Sequence, residues 1–171
     1  MRRLLLLRHA KAVPATDPLV DIDRPLADRG ERNARRIGER LRQQQQQPAL
    51  ILASPAARAL RTAQLVAGTI DYPRDAIALD RRLYLAEPAA IIEIIAAQDA
   101  AIESLLVVGH NPGLTELTHQ LLPAFDVDDL PTCAIVGLDY ADAASWGRIA
   151  SDAATLSYYD YPKNTRPVTA R

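Results

Sequence analysis

The sequence of 171 residues is poor in cysteine and in long apolar runs. Its one cysteine, Cys133, excludes an intramolecular disulfide and any metal site built from several cysteines. The four leucines at positions 4–7 are followed by Arg8, so the run is too short for a signal-peptide core or a membrane span. We therefore expect a soluble protein with no membrane partner that is located in the cytoplasm, where unpaired cysteines are common.

An excess of charge of one sign is also missing, because 20 Lys and Arg residues are balanced by 21 Asp and Glu residues. This balance excludes the bulk basic field that would attract nucleic acid. The sequence also lacks G-x-x-x-x-G-K-S/T, G-x-G-x-x-G, G-x-S-x-G and H-E-x-x-H, which are typical of nucleotide cradles, serine hydrolases and zinc proteases. We expect no nucleic-acid partner, no metal and no cofactor.

Short apolar runs alternate with helical patterns along the chain. Residues 4–7, 50–53 and 105–108 are typical of strands that are buried on both faces of a sheet. This alternation predicts an α/β protein with one domain over residues 1–171, a three-layer α/β/α sandwich around a mainly parallel sheet. Predicted helices cover residues 30–45, 55–70 (with Ser54 as N-cap and Pro55 at the first position), 88–98 and 112–122; further strands cover 77–79, 134–140 and 146–152, with a loose tail after about 158.

Two histidines follow predicted buried strands directly. His9 comes after the first strand and His110 after the strand over 105–108, while Arg58 lies in the first turn of the helix that follows residues 50–53. Ligands of open α/β sheets bind beyond the carboxyl ends of the strands, and helix N-termini at that edge attract anions. His9, His110, Arg8 and Arg58 therefore predict an anion site that contains a nucleophile.

Phosphoryl transfer suits this set of side chains. Arginine forks grip phosphate oxygens with two donors in fixed geometry. A neutral imidazole is a competent nucleophile, and nearby arginines disfavour the charged form of His9. His110 can donate a hydrogen bond to a phosphoryl oxygen as charge builds in the transition state. Because the arginines neutralise the phosphate, this chemistry requires no metal.

Four short motifs in one order resemble the histidine phosphatase superfamily, which includes phosphoglycerate mutase. They are L-L-L-R-H-A at 5–10, R-P-L with R-G at 24–26 and 29–30, S-P-A-A-R-A with T-A at 54–59 and 62–63, and V-V-G-H-N-P at 107–112. Ala10, Lys11, D-R-P-L at 23–26, R-L-Y at 82–84 and L-P-T at 130–132 most resemble the short branch typified by SixA phosphohistidine phosphatases. The resemblance covers residues 4–138.

The resemblance implies a phosphoglycerate mutase-like fold and a metal-independent phosphatase. His9 would be the phosphorylated nucleophile, Arg8 and Arg58 would hold the phosphate, and His110 would be the second histidine of the pocket. The favoured substrate is phosphohistidine on a protein, and inorganic phosphate is the product.

Arg24 and Asn111 complete the predicted phosphate-binding set. Arg24 and Arg29, in the loop and helix start after His9, have two readings. Each can reach the phosphate, or it can act as a cap or pair with a nearby aspartate, Asp21, Asp23 or Asp28. The resemblance alone leaves both readings open.

The proton donor is the main departure from the family pattern. Mutase-like relatives carry a glutamate three residues before the tyrosine that corresponds to Tyr84, and that position here is Arg81. Asp80 and Glu87 are the nearby substitutes. A phosphoramidate substrate softens this loss because its nitrogen can be protonated before cleavage. The short connection over residues 79–88 leaves little material for a lid, which favours a phosphate presented on a protein surface.

Two other functions fit the same residues. The first is a phosphatase for a small phosphate ester that uses the same catalytic set. The second is a module that binds phosphate without catalysis. The missing glutamate favours this module, whereas the two histidines argue against it.

Overall fold

The computed structural model describes residues 1–15, 20–165 and 167–169. The β-strands in this part of the chain are β1 (Arg2–Arg8), β2 (Leu50–Ala53), β3 (Ala78–Leu79), β4 (Ser104–Gly109), β5 (Ile135–Tyr140), β6 (Thr155–Asp160) and β7 (Val168–Thr169). The α-helices are α1 (Asp28–Gln43), α2 (Ala57–Thr69), α3 (Pro88–Ala96) and α4 (Gly113–Leu121). None of these helices is long and apolar enough to cross a membrane.

The described strands form one sheet in the order β3-β2-β4-β1-β5-β6-β7. Strands β3, β2, β4 and β1 run parallel to one another, whereas β5 pairs antiparallel with β1 and is followed by β6 and β7, each antiparallel to the strand before it. Strand β1 therefore lies near the middle, with β4 on one side and β5 on the other. Because β1, β2 and β4 run in one direction, their carboxyl ends meet at one edge of the sheet.

The leucine run in β1 explains the three layers. Successive side chains of a strand point to opposite faces, so Leu4 and Leu6 join the core under α3 and α4, whereas Leu5 and Leu7 join the core under α1 and α2. All four leucines are at most 1% exposed, and each contributes roughly 1.5–3 kcal/mol through burial. The predicted α/β/α sandwich is confirmed.

The antiparallel edge differs from the prediction. The predicted strand over 146–152 is wrong, because Trp146 starts a short 3-10 helix there. Its indole N–H donates to the Ile102 carbonyl at 2.8 Å, and its ring lies 5.4 Å from the Arg2 guanidinium.

The strand that pairs with β5 is β6, which continues past position 158, where a loose tail was expected. Its last residue, Asp160, is buried and accepts a 2.9 Å hydrogen bond from Arg40 of α1. Residues 166, 170 and 171 of the predicted tail lie outside the described residues.

The start of α2 is the second correction. The helix begins at Ala57, with Ala56 at the N-cap and no capping side chain, so Ser54 is not the N-cap and Pro55 is not the first helical residue. The Ser54 hydroxyl is instead 2.8 Å from Nε2 of His110. Sequence pattern alone favoured a cap, whereas the folded chain uses this hydroxyl to hold a histidine.

Candidate active site

His9 and His110 meet at the carboxyl edge of the sheet, as the sequence predicted. The main-chain N–H of His9 donates to the Gly109 carbonyl at 3.0 Å, and the main-chain carbonyl of His9 accepts from the Cys133 N–H at 3.1 Å. These bonds fix the backbone of His9 between its two neighbouring chain segments. The two imidazole rings have centroids 5.2 Å apart, so they face one small space.

The hydrogen bonds of the His9 ring select its tautomer. Nδ1 is 2.8 Å from the carbonyl oxygen of Ala10, which can only accept, so Nδ1 carries the ring proton. Nε2 therefore holds the lone pair and accepts from Nε of Arg58 at 3.3 Å. Burial, reinforced by the positive charges of Arg58 and Arg8, lowers the pKa of His9 to about 4 and outweighs the opposing effect of the Ala10 carbonyl. A neutral imidazole with its lone pair on Nε2 is the nucleophilic form.

His110 is held in a different way. Its Nε2 is 2.8 Å from Ser54 Oγ, and its buried Nδ1 has no hydrogen-bond partner among the described residues. Burial, followed by the proximity of His9 and Arg58, lowers the pKa of His110 to about 3. When the Ser54 hydroxyl donates to Nε2, Nδ1 carries the ring proton, and no described residue accepts it.

Arg58 is a buried cation at the second position of α2, with 2% of its side chain exposed. Its two terminal nitrogens donate to Asp21, one to the main-chain carbonyl at 2.6 Å and one to Oδ2 at 3.0 Å. The Thr62 hydroxyl donates to the Arg58 carbonyl at 2.7 Å and accepts from the Ala10 N–H at 3.0 Å. Thr62 thereby ties the start of α2 to the residue that follows His9.

Asp21 is a site residue that the sequence analysis missed as such. Its carboxylate accepts from the Tyr84 hydroxyl at 2.6 Å, from Nε of Arg24 at 2.9 Å and from Arg58. The Tyr84 hydrogen bond, together with those from Arg58 and Arg24, lowers the pKa of Asp21 to about 2, against the opposing effect of burial. Asp21 is therefore ionised at neutral pH and orients both arginines. Its signal in the sequence was the spacing of three residues to Arg24.

Arg8 and Asn111 are held by a different carboxylate, that of Asp129. Arg8 donates to the Leu130 carbonyl and pairs with Asp129 at 3.3 Å. The Asn111 side-chain amide donates to the same Asp129 carboxylate at 2.6 Å. The exposed Asp129 thus holds both side chains at the rim of the site.

These side chains surround an open hollow of about 380 Å³. Its lining contains four cations and, among the described residues, one carboxylate, Asp21. The hollow is lined by Arg8, His9, Lys11, Ala12, Asp21, Arg24, Arg58, Leu85, His110, Asn111 and Thr132. This excess of positive charge around two neutral imidazoles suits a phosphate group.

Comparisons with known proteins agree with this geometry. A model of the histidine phosphatase superfamily (branch 1) matches residues 4–83. The crystal structure of a candidate phosphohistidine phosphatase SixA from Agrobacterium tumefaciens is 30% identical, with a TM-score of 0.73, and the match covers 81% of this chain and 91% of that one.

The chain belongs to the histidine phosphatase superfamily.

Two further relatives extend over almost the whole chain. A candidate SixA from Nakamurella multipartitia superposes with a TM-score of 0.82 at 25% identity and covers 95% of this chain and 97% of that one. An uncharacterized protein of Mycobacterium tuberculosis is 33% identical over 166 residues, which are 92% of this chain and 100% of the relative. The chain is a phosphatase with the phosphoglycerate mutase-like fold of its SixA neighbours.

Neither predicted proton donor of this histidine phosphatase lines the hollow. The Asp80 carboxylate is engaged by Arg82, whose main-chain N–H and terminal nitrogen donate to it at 2.9 and 2.7 Å. Glu87 is exposed at the position that precedes α3. Both carboxylates therefore lie outside the hollow, because the connection carries Tyr84 and Leu85 to the site, and the assignment of either residue as a proton donor stays a prediction.

Arg24 fits both of its readings, because it pairs with Asp21 and also lines the hollow. Arg29 lines a neighbouring cavity and not the hollow itself. In the part of the chain that the structure describes, no group of three or more His, Cys, Asp or Glu side chains is placed to hold a metal ion.

We expect both imidazoles of the histidine phosphatase to stay neutral well below pH 6.5, their ordinary pKa. Because burial disfavours the charged rings, kcat/KM should persist as the pH falls below 6.5 and should be lost only as it passes through about 4, where His9 gains a proton. Titration of the ring signals by NMR, in protein free of phosphate, measures both values. His9→Asn and His110→Asn assign the signals, and a midpoint near 6.5 for either ring contradicts the expectation.

Proposed function

We propose that this phosphatase hydrolyses phosphohistidine on a protein through a covalent phosphate on His9. The observation that carries the proposal is the state of His9, whose Nε2 lone pair faces Arg58 inside a hollow rich in cations. Arg8, Arg24 and Arg58 would grip the phosphoryl oxygens, and Asn111 would lie beside them. His110 would donate from Nδ1 as negative charge builds on those oxygens.

The first step transfers the phosphoryl group. Nε2 of His9 attacks phosphorus and forms a P–N bond, while the P–N bond to the substrate imidazole breaks. The electron pair of the broken bond goes to the substrate nitrogen that carried phosphorus, and the other ring nitrogen of the substrate carries a proton, so the substrate leaves as a neutral imidazole. The ring of His9 then carries phosphate on Nε2 and a proton on Nδ1, so it is positively charged. The carbonyl of Ala10, 2.8 Å from Nδ1, stabilises this charged ring.

The second step restores the enzyme. Water attacks the phosphorus of phospho-His9, the bond to Nε2 breaks, and inorganic phosphate leaves with the oxygen and the two protons of water. Nε2 recovers its lone pair while Nδ1 keeps its proton. The imidazole is a fair leaving group because it departs as a neutral ring.

The acid–base properties of the site favour a phosphoramidate over an ester. An alkoxide leaving group needs a proton from the enzyme, whereas the ring nitrogen of phosphohistidine that does not carry phosphorus can take one from solvent before cleavage. Asp21 has no proton to give at neutral pH, because three donors hold it ionised with a pKa of about 2. No other carboxyl group lines the hollow in the described residues.

The approach to the site favours a protein substrate. Between the end of β3 and the start of α3 the chain forms only the short 3-10 helix Arg81–Leu83, and the hollow stays open to solvent. The two SixA neighbours are named as candidate phosphohistidine phosphatases, which is consistent with this substrate. The cytoplasmic location expected from the sequence stays a prediction.

The test compares leaving groups on one peptide sequence. We expect kcat/KM for the phosphohistidine peptide to exceed that for the phosphoserine peptide, and that for a sugar phosphate, by about a hundredfold or more, the contribution typical of a missing general acid. Release of inorganic phosphate is the measurement. Faster turnover of a sugar phosphate would favour the small-ester function, and tight binding of phosphate without turnover of any substrate would favour a binding module.

A further inference from the structure

A second cavity, also of about 380 Å³, adjoins the phosphate hollow and shares Lys11 and Thr132 with it. Lys11, Arg29 and Lys163 are its charged lining residues, and no carboxylate lines it among the described residues. Lys11 and Lys163, separated by more than 150 positions, are the only lysines in the sequence. We call this cavity the basic groove.

One wall of the basic groove is fixed by the contact between Lys11 and α1. The Lys11 carbonyl accepts from the Ala27 N–H at 2.9 Å, just before the helix begins. A Cβ atom at Gly30 would lie 2.1 Å from the same carbonyl, so the glycine is required for this approach. The approach places Arg29, in the first turn of α1, beside Lys11.

A second part of the lining of the basic groove is a turn anchored on α1. The Asn164 N–H donates to the Tyr161 carbonyl at 2.9 Å and closes the turn that carries Lys163. Arg40 of α1 donates to the carbonyl groups of Tyr161 and Asn164, each at 3.1 Å, and it also pairs with the buried Asp160. The position of Lys163 is therefore set by main-chain contacts.

The three cations of the basic groove are not neutralised by the described part of the chain. None of Lys11, Arg29 and Lys163 has a carboxylate of a described residue within 4.0 Å. By contrast, Arg61 and Arg82 on the same protein are paired with carboxylates. Unpaired cations that line one cavity attract an anionic ligand from outside the chain.

We propose that the basic groove binds an acidic segment of the substrate protein next to its phosphohistidine, an inference that rests on the proposed function. Continuity with the phosphate hollow through Lys11 and Thr132 places the groove where residues that flank the phosphohistidine would lie. Its walls also contain Pro131, Tyr161 and Pro162. A free second phosphate would contact only the cations of the groove. A peptide segment would also pack the apolar parts of its side chains against these three rings.

The experiment uses two phosphohistidine peptides that differ only in glutamate or glutamine residues beside the phosphohistidine. At low salt we expect kcat/KM to be about three- to tenfold higher for the glutamate peptide, the range for a few partly exposed charge pairs. The difference should lie in KM and shrink at high salt, which screens such pairs. Arg29→Gln and Lys163→Gln should each reduce the preference and leave kcat/KM for the glutamine peptide unchanged.

Arg32→Gln is the matched control, because Arg32 is exposed on the next turn of α1 and does not line the groove. Equal kcat/KM for both peptides in the wild type, or a glutamate preference that survives in both groove variants, would overturn the proposal and leave the proposed function intact. Preference for a small phosphoramidate with a second phosphate over either peptide would also overturn it.

Binding separates failure of the groove from failure of the proposed function. A stable phosphonate analogue of each peptide, titrated by fluorescence anisotropy, reports the glutamate preference without any turnover. If the wild-type protein binds the glutamate analogue more tightly, with a preference that Lys163→Gln removes, and yet hydrolyses no phosphohistidine peptide, the proposed function is contradicted and the groove stays intact. Equal affinities for the two analogues would overturn the groove.

Discussion

We expect the His9→Ala variant to lose phosphatase activity by about four orders of magnitude or more, the scale seen when an enzyme loses its nucleophile. The variant removes the one imidazole whose Nε2 lone pair is presented to Arg58. His110 does not replace it, because the Ser54 hydroxyl holds its Nε2. Rapid acid-free quenching with a radiolabelled phosphohistidine peptide should trap acid-labile phosphate on the wild-type protein and none on the variant.

His119→Ala is the matched control for this measurement. His119 is the third histidine of the chain, lies in α4, and has its Nε2 2.9 Å from the Val127 carbonyl, outside the hollow. Its replacement should leave both turnover and labelling close to the wild-type level. Acid-labile label that persists in His9→Ala, and maps to His110, would exchange the roles proposed for the two histidines.

The convergence of His9, His110 and Arg58 could be predicted because the signals are local. Each of these residues follows a short apolar strand that is buried on both faces, and parallel strands end at one edge of a sheet. Knowledge of strand order was not needed. Placing each residue at a strand end or in the helix start that follows one was sufficient to bring the three side chains to one edge.

The antiparallel edge was predicted less well because its pattern depends on distant contacts. Trp146 has the β propensity of a strand residue, but its burial against Arg2 and the Ile102 carbonyl bends the chain into a 3-10 helix. The residues of β6 gain their regular structure from β5 and from the pair between Asp160 and Arg40. Neither contact is visible in the local sequence.

Asp21 and the two predicted proton donors show the same limit at the site. Several aspartates lie between His9 and α1, and only the tertiary structure selects Asp21, through Tyr84 and Arg58. Asp80 and Glu87 are closer to Tyr84 in sequence, yet Asp80 binds Arg82 within its own turn. Proximity along the chain was therefore a poor guide to which carboxylate meets the arginines.

We expect Arg58→Ala to lower kcat/KM by about 30- to 1000-fold, equivalent to about 2–4 kcal/mol of transition-state stabilisation, as for the loss of one preorganised donor. Arg58 is suited to this role because it is buried and its guanidinium is held by Asp21, so little rearrangement is needed when a phosphate arrives. Steady-state release of inorganic phosphate from a phosphohistidine peptide measures the loss. Arg61→Ala, one turn further along α2, removes an arginine that pairs with the partly exposed Glu31 and should have little effect.

Arg58→Lys separates the charge of this side chain from its geometry. Lysine keeps the positive charge but cannot present two donors in a fixed plane to phosphate oxygens. It also cannot reproduce the three bonds that Arg58 makes to Asp21 and His9. The lysine variant should therefore fall between the wild type and Arg58→Ala. Equal kcat/KM for lysine and arginine would mean that charge alone is used, and near-normal kcat/KM in Arg58→Ala, with normal thermal unfolding, would remove Arg58 from the phosphate clamp altogether.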